Sequence, residues 1–315
     1  METDALRPQT LVEYLGQQHI KDVLGVAIRS ARIRNATLDH VLLAGPPGLG
    51  KTTLSQIIAN EMGWQFQTVM APSLNNALSL GQLFRQMEPK DTVILIDEVH
   101  RLRKAGQESL YPALEDRKTM NQFGSRLENI PFRFTMIGAT TNIGRLERPF
   151  QDRFPLQFQL VYYTAEELAA ILAVNARKLE VVMSDDALQI LAQRSRSTPR
   201  IGNNLLKRLR DYEIAEGVEL TAERVEDILY RQLGVDELGL REIDRRYLEV
   251  LEPAGEKGRG VEALASRLNE EEDTLSDDIE PMLLRLELIE RMPGGRRITQ
   301  RGIDHLDGVL ANGRT

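Results

Sequence analysis

Not one cysteine occurs among the 315 residues. That single absence excludes disulfide staples, thiolate metal sites and cysteine nucleophiles. It suits a reducing compartment, and a cytoplasmic location is expected. Long apolar runs are missing too, since no stretch approaches the roughly 18 residues that read as a membrane helix. The opening segment, Met1 to Pro8, is polar and acidic, so no secretory leader is expected there. Repeats and low-complexity tracts are lacking. So is an excess of positive charge: 40 Lys and Arg stand against 47 Asp and Glu, a net −7. That argues against a chain coated in basic surface and leaves room for a local basic patch.

What is present fits two or three ordinary domains, with 42% apolar residues to fill their cores. Residues 9–35 read as helix with short breaks. His40-Val41-Leu42-Leu43-Ala44-Gly45 is a short apolar run ending in glycine, as a buried parallel strand would be. Helical spacing follows over 51–62. Two more such runs are Thr92 to Ile96, ending at Asp97, and Phe134 to Thr140. Apolar strands alternating with helices predict an α/β domain with a parallel sheet.

The pattern changes near Pro155. From Thr164 to about Arg231 only helices are expected: Thr164 with Glu167 forms a capping box, Ser184 and Thr221 open further helices, and Pro199 suits a first turn. Beyond Gly239 come helical stretches near 241–252, 260–269 and 273–289. A strand-like segment with a Pro293-Gly294-Gly295 turn follows. Three helices and a hairpin predict a winged helix-turn-helix. The expected domains are 1–160, 161–238 and 239–315.

Gly45-Pro46-Pro47-Gly48-Leu49-Gly50-Lys51-Thr52 fits the P-loop pattern between a strand and a helix. Glycines such as Gly48 and Gly50 let backbone N–H groups converge on phosphate oxygens, and the helix dipole adds partial positive charge. Lys51 is expected on the β- and γ-phosphates of ATP, and the hydroxyl of Thr52 on Mg²⁺. Asp97 and Glu98 follow an apolar strand about 46 residues later. An acidic pair after a strand is ordinarily a solvated strand end. Behind a P-loop, Asp97 is expected to hold the Mg²⁺ shell and Glu98 to orient and deprotonate the attacking water. Thr141 is a candidate to position the same water.

Gly45 to Thr53, Asp97-Glu98-Val99-His100-Arg101-Leu102 and Ile137-Gly138-Ala139-Thr140-Thr141 together resemble an AAA+ ATPase. More narrowly they are similar to the RuvB family, the bacterial Holliday-junction branch-migration motors. Further matches are Arg7-Pro8, Glu13 to Gln17, Leu110 to Asp116, Asp152-Arg153-Phe154 and Thr198 to Ile201. The resemblance runs from about Arg7 to His305. It implies an ATP-hydrolysing, DNA-binding ring, a hexamer around duplex DNA that serves recombination and repair. It implies that Leu6, Arg7 and the segment around Tyr14 line the adenine pocket. Gly48, Gly50, Lys51, Thr52 and Thr53 would hold the phosphates, with Tyr163 near the nucleotide. Arg153 would be an arginine finger reaching a neighbouring subunit's γ-phosphate, and Arg200 the second sensor. Arg291 and Arg296 match DNA-contacting wing positions, and Arg297 adds a charge. Residues 291–301 hold four arginines and no acid.

Three departures from the family pattern stand out. Phe150-Gln151-Asp152-Arg153 keeps the finger and loses an adjacent arginine. The stretch Glu270 to Asp278 is strongly acidic, with Glu272 where the family uses an arginine toward DNA. Such a helix repels phosphates, so a DNA grip must rest on the wing. The segment between Asp116 and Pro131 is short, and Arg117 replaces an aromatic residue. In the family this segment is a hairpin that docks the junction-binding partner RuvA. Here Gly124-Ser125 predicts a two-residue type II′ turn, with Met120, Phe123, Leu127 and Ile130 partly exposed unless another surface covers them. Two other classes remain open: an AAA+ protein remodeller, and a slow matchmaker that does not translocate.

Overall fold

Continuous apolar runs become central strands because both of their faces are covered. In the computed structural model, which describes residues 5–312 apart from Asn75, β1 (Val41–Ala44), β3 (Thr92–Asp97) and β6 (Phe134–Thr140) are buried along almost their whole length. β2 (Gln65–Met70) and β7 (Leu156–Gln159) flank them in a five-stranded parallel sheet ordered β2-β3-β6-β1-β7. β2 reads Gln-Phe-Gln-Thr-Val-Met and is mostly exposed. As an edge strand it carries polar residues, so apolar patterning gave no sign of it. The register aligns the carboxyl ends of three adjacent strands, with Ala44 opposite Thr140 and Ile96 opposite Gly138.

Helices α1 (Gln18–Ile33), α2 (Lys51–Met62), α3 (Ala77–Gln86) and α4 (Lys104–Asp116) belong to the same unit. That unit contains Met1–Lys178 with Thr198–Arg200. Regular helix begins only at Gln18, because Gly16 and Gln17 both take left-handed backbone just before it. α2 starts after left-handed Gly50 and stops at left-handed Gly63, whose N–H caps the last turn by donating to the Ala59 and Asn60 carbonyls. One core cluster joins Leu42, Ile94, Ile96, Met136, Phe134 and Phe154 with Leu110 and Leu114 of α4.

The short hairpin exists, with β4 (Lys118–Met120) paired to β5 (Leu127–Asn129). Its turn is not the expected two-residue one. Asn121 N–H bonds Arg126 C=O, Gly124 N–H bonds Asn121 C=O, and the Asn121 side chain accepts from Ser125 N–H. That Asx bond recruits four residues into the loop. Phe123 and Leu127 are exposed, whereas Ile130 is buried in the main core.

The second unit contains Leu179–Ser197 and Ile201–Thr315. Ser184 and Thr221 cap their helices as expected. Glu242–Leu251, Val261–Leu268 and Glu280–Arg285 are the helices of the winged fold. β8 (Ile289–Met292) and β9 (Gly295–Ile298) form its wing, and helix Gln300–Asn312 follows. The third expected stretch, 273–289, ends early. Helix stops at Arg285, Glu287 turns left-handed, and Leu288 C=O accepts from Thr299 N–H beside the wing. No helix among the described residues is long and apolar enough to cross a membrane.

Candidate nucleotide site and basic wing

Gly45, Gly48 and Gly50 all take positive φ, at 143°, 83° and 102°, where side chains are strained. A Cβ on Gly50 would lie 2.9 Å from the Tyr14 hydroxyl. The loop between β1 and α2 therefore needs glycine for conformation and for space. Lys51 is buried and donates from Nζ to the carbonyls of Gly45 at 2.7 Å and Pro46 at 3.0 Å. Burial pushes its ammonium down to about 8, against the opposing pull of Glu98 and Asp97. Thr52 and Thr53, half-buried, open α2 beside it.

The Tyr14 and Tyr163 hydroxyls both donate to the Leu49 carbonyl at 3.3 Å and lie 3.2 Å from each other. Burial raises both phenols above their ordinary value, so they remain neutral donors. Leu6 is buried and Arg7 half-buried. Arg200, exposed, belongs to the sheet unit, where a Cβ on Gly48 would lie 3.2 Å from the Arg200 Cβ.

Asp97 ends β3, and its Oδ1 accepts from Glu98 N–H at 3.0 Å. Glu98 itself is left-handed, at φ 54°, a costly conformation for a residue with a side chain. Its carboxylate faces His100 Nε2 at 3.4 Å and Arg101 Nε at 3.7 Å. His100 Nδ1 lies 3.0 Å from Thr140 Oγ1, which also accepts from Asn142 N–H at 3.0 Å. Thr140 is buried at the end of β6, and Thr141 lies one residue beyond it, exposed. Sequence reasoning gave neither His100 nor Thr140 a role. The only signal was that both fall inside the family-like motifs.

Arg153 is held by its own unit. Its guanidinium lies 3.8 Å from the Tyr111 ring centroid, pairs with Glu115 at 2.7 Å and donates to the Pro149 carbonyl. Tyr111 and Glu115 are one turn apart on α4 and meet on one face. Their part in holding this arginine was not read from the sequence.

The wing arginines are not simply solvated cations. Arg291 and Arg296 both bond Glu280, a wholly buried carboxylate that also accepts from the Tyr247 hydroxyl at 3.0 Å. Burial alone would raise Glu280, but the bonds from Arg296, Arg291 and Tyr247 hold it below the usual carboxylate range. Arg297 pairs with Glu290, and Arg301 lies 3.5 Å from Glu287. In the acidic stretch, Asp278 is bonded by Arg241 at 2.9 Å, while Glu272 is exposed.

The chain is similar along nearly its whole length to proteins of one family. Family models match in three consecutive stretches: the Holliday junction DNA helicase RuvB P-loop domain over 6–160, the RuvB AAA lid domain over 163–236 and the RuvB C-terminal winged helix domain over 237–307. A Holliday junction branch migration complex subunit RuvB from Kosmotoga olearia is 42% identical, covering 99% of this chain and 92% of the relative. One of the same description from Gluconobacter oxydans is 42% identical, covering 97% and 89%. The solved Thermotoga maritima RuvB Holliday junction branch migration motor superposes with a TM-score of 0.85 at 38% identity, covering 96% of this chain and 98% of that one.

Proposed function

Because this chain belongs to the RuvB family of AAA+ ATPases, we propose that it is an ATP-driven motor of Holliday-junction branch migration, working as a hexameric ring on duplex arms in the cytoplasm. The observation that carries this reading is one sheet edge, joined in the same chain to a winged helix. The P-loop, Asp97-Glu98 and the end of β6 meet on three adjacent strands there. The site binds nucleotide, and the family hydrolyses it. We divide the chain at 160/161 and 238/239 into ATPase, lid and winged-helix domains.

The donor set fits Mg²⁺. Thr52 and Asp97 offer hard oxygens, and no cluster of three or more metal-binding side chains occurs among the described residues. Mg²⁺ needs only one or two protein ligands when phosphates and waters complete its shell. Bound there, it would neutralise charge on the β- and γ-phosphates. Lys51 faces the same phosphates with the loop N–H groups of Gly48 and Gly50. Glu98 orients the attacking water and takes its proton. Tyr14, Tyr163, Leu6 and Arg7 enclose the base, and Arg200 reports nucleotide state from the start of its helix. Arg153, displayed by Tyr111 and Glu115, serves the γ-phosphate of a neighbouring subunit. The wing, through Arg297 and the outer edge of Arg291, contacts DNA phosphates. The β4–β5 hairpin, with Phe123 and Leu127 exposed, is a dock for a RuvA-like junction-binding protein.

The test is steady-state ATPase with no DNA, with duplex and with four-way junction. Stimulation by DNA is expected. Indifference to DNA together with stimulation by a protein would replace this reading with a protein remodeller, and indifference to both with a slow switch.

A further inference from the structure

We propose that His100 and Thr140 are positioning residues for the hydrolytic base, joined in one directed hydrogen-bond relay from the end of β6 to Glu98. The proposal rests on the reading of Glu98 as that base.

The direction is set by the carboxylate that faces the far nitrogen of the ring. Asn142 N–H occupies one lone pair of Thr140 Oγ1 at 3.0 Å, and a hydroxyl carries a single proton of its own. Donating that proton to His100 Nδ1, 3.0 Å away, makes Nδ1 the acceptor. The ring proton then sits on Nε2, the nitrogen that faces Glu98 Oε2 at 3.4 Å. The other neutral tautomer would turn a lone pair toward a carboxylate. Of the two neutral forms, only the first is attractive at both ends.

The need for such a relay lies in the backbone. Glu98 is left-handed at φ 54°, immediately after the strand, so ordinary strand geometry does not aim its carboxylate. The two side chains that face it differ in kind. The Arg101 side chain is 60% exposed and that of His100 only 6%. A solvated arginine holds a partner weakly, whereas a buried imidazole held at Nδ1 by Thr140 presents its other nitrogen to the carboxylate in one orientation. The far anchor is also well placed. Thr140 is paired with Ala44, the residue that leads into the phosphate loop. The relay thus ties the base to the strand beside the loop that holds its substrate. General-base catalysis depends first on this kind of geometry.

The full-length protein is assayed with saturating junction DNA. Thr140→Val keeps the branched shape and removes the hydroxyl, Thr140→Ser restores the hydroxyl, and His100→Gln breaks the ring path. Thr140→Val and His100→Gln are each expected to lower kcat about tenfold, with the KM for ATP within about twofold of wild type. Thr140→Ser is expected near wild type. The double variant is expected to be no worse than the poorer single, as for members of one chain. Thermal midpoints are measured for all of them, and if Thr140→Val does not fold, His100→Gln and Thr140→Ser carry the test. Wild-type kcat in His100→Gln, multiplicative losses in the double variant, or a loss confined to KM would each overturn the relay. Glu98→Gln separates the two claims. If it retains turnover, the reading of Glu98 as base fails; if it is dead while His100→Gln is normal, only the relay fails.

Discussion

Gly50 and Gly63 show how the same residue type serves two ends. Both bound α2 and both take positive φ. A side chain on Gly63 meets nothing within 4 Å, whereas one on Gly50 meets the Tyr14 hydroxyl at 2.9 Å. Gly63→Ala is therefore expected to cost about 1 kcal/mol in stability, the left-handed penalty alone, and to leave ATP affinity unchanged. Gly50→Ala is expected to displace Tyr14 and the loop together and to weaken ATP binding at least about tenfold, because phosphate-cradling loops need close backbone approach. Binding of a fluorescent ATP analogue with a parallel thermal melt distinguishes the two, and equal affinity in both variants would contradict the packing argument. The phosphate loop was legible because its chemistry is contiguous: glycines, lysine and threonine stand within eight positions of one another. The relay was not, because Thr140 and His100 lie 40 residues apart. Only the register of β6 beside β3 brings them together.

Among elements, the wing departs most from what its composition suggests. Four arginines without an acid look like a solvated cationic strip, yet Arg291 and Arg296 share Glu280, 11 and 16 residues upstream. A one-dimensional charge pattern cannot show that a carboxylate from another helix reaches under the hairpin. Replacing Arg296 is therefore a stability experiment before it is a DNA experiment. Arg296→Ala leaves Glu280 buried with Arg291 and Tyr247 as its remaining partners, and about 1.5–3 kcal/mol of stability, the worth of a hydrogen bond to a charged group, is expected to be lost. Arg297→Ala breaks only a partly exposed pair with Glu290, so the fold should persist while the salt dependence of DNA binding flattens by about one unit of slope. A full salt slope in Arg297→Ala would move the DNA contact off this strand. Glu280 also predicts acid sensitivity. Its folded value is depressed below its ordinary one. Its contribution is therefore complete above the ordinary carboxylate range and lost as pH falls through the folded value. An acid melt should show this for the wild type, and Glu280→Gln should show a flatter profile. The β4–β5 hairpin was legible as an element, but not in its turn, which Asn121 sets through a side-chain bond.

At the scale of the assembled molecule, Arg153 decides whether one subunit suffices. Within its own unit the guanidinium is held against Tyr111 and Glu115, on a rigid helix rather than a free loop. A finger fixed in this way spends little rotamer entropy on meeting a phosphate, and an arginine's full share is about 2 kcal/mol. Its target, in the reading above, lies on the next subunit, where an arginine finger supplied in trans contributes roughly 10³–10⁵ in rate. Arg153→Ala should therefore fold and bind ATP yet barely hydrolyse it. Glu98→Gln should do the same for the opposite reason, since it keeps the finger and lacks the base. Neither defect touches the other's half of a shared site. In mixed rings, some interfaces pair an intact Glu98 with an intact Arg153 from the neighbour, and ATPase should return to a fraction set by the mixing ratio. The measurement is DNA-stimulated ATPase across mixing ratios, with mixed assembly verified by retaining one variant through a tag carried by the other. If such rings stay as inactive as their parents, Arg153 acts within its own subunit, and the hold of Tyr111 and Glu115 is its working position rather than its display.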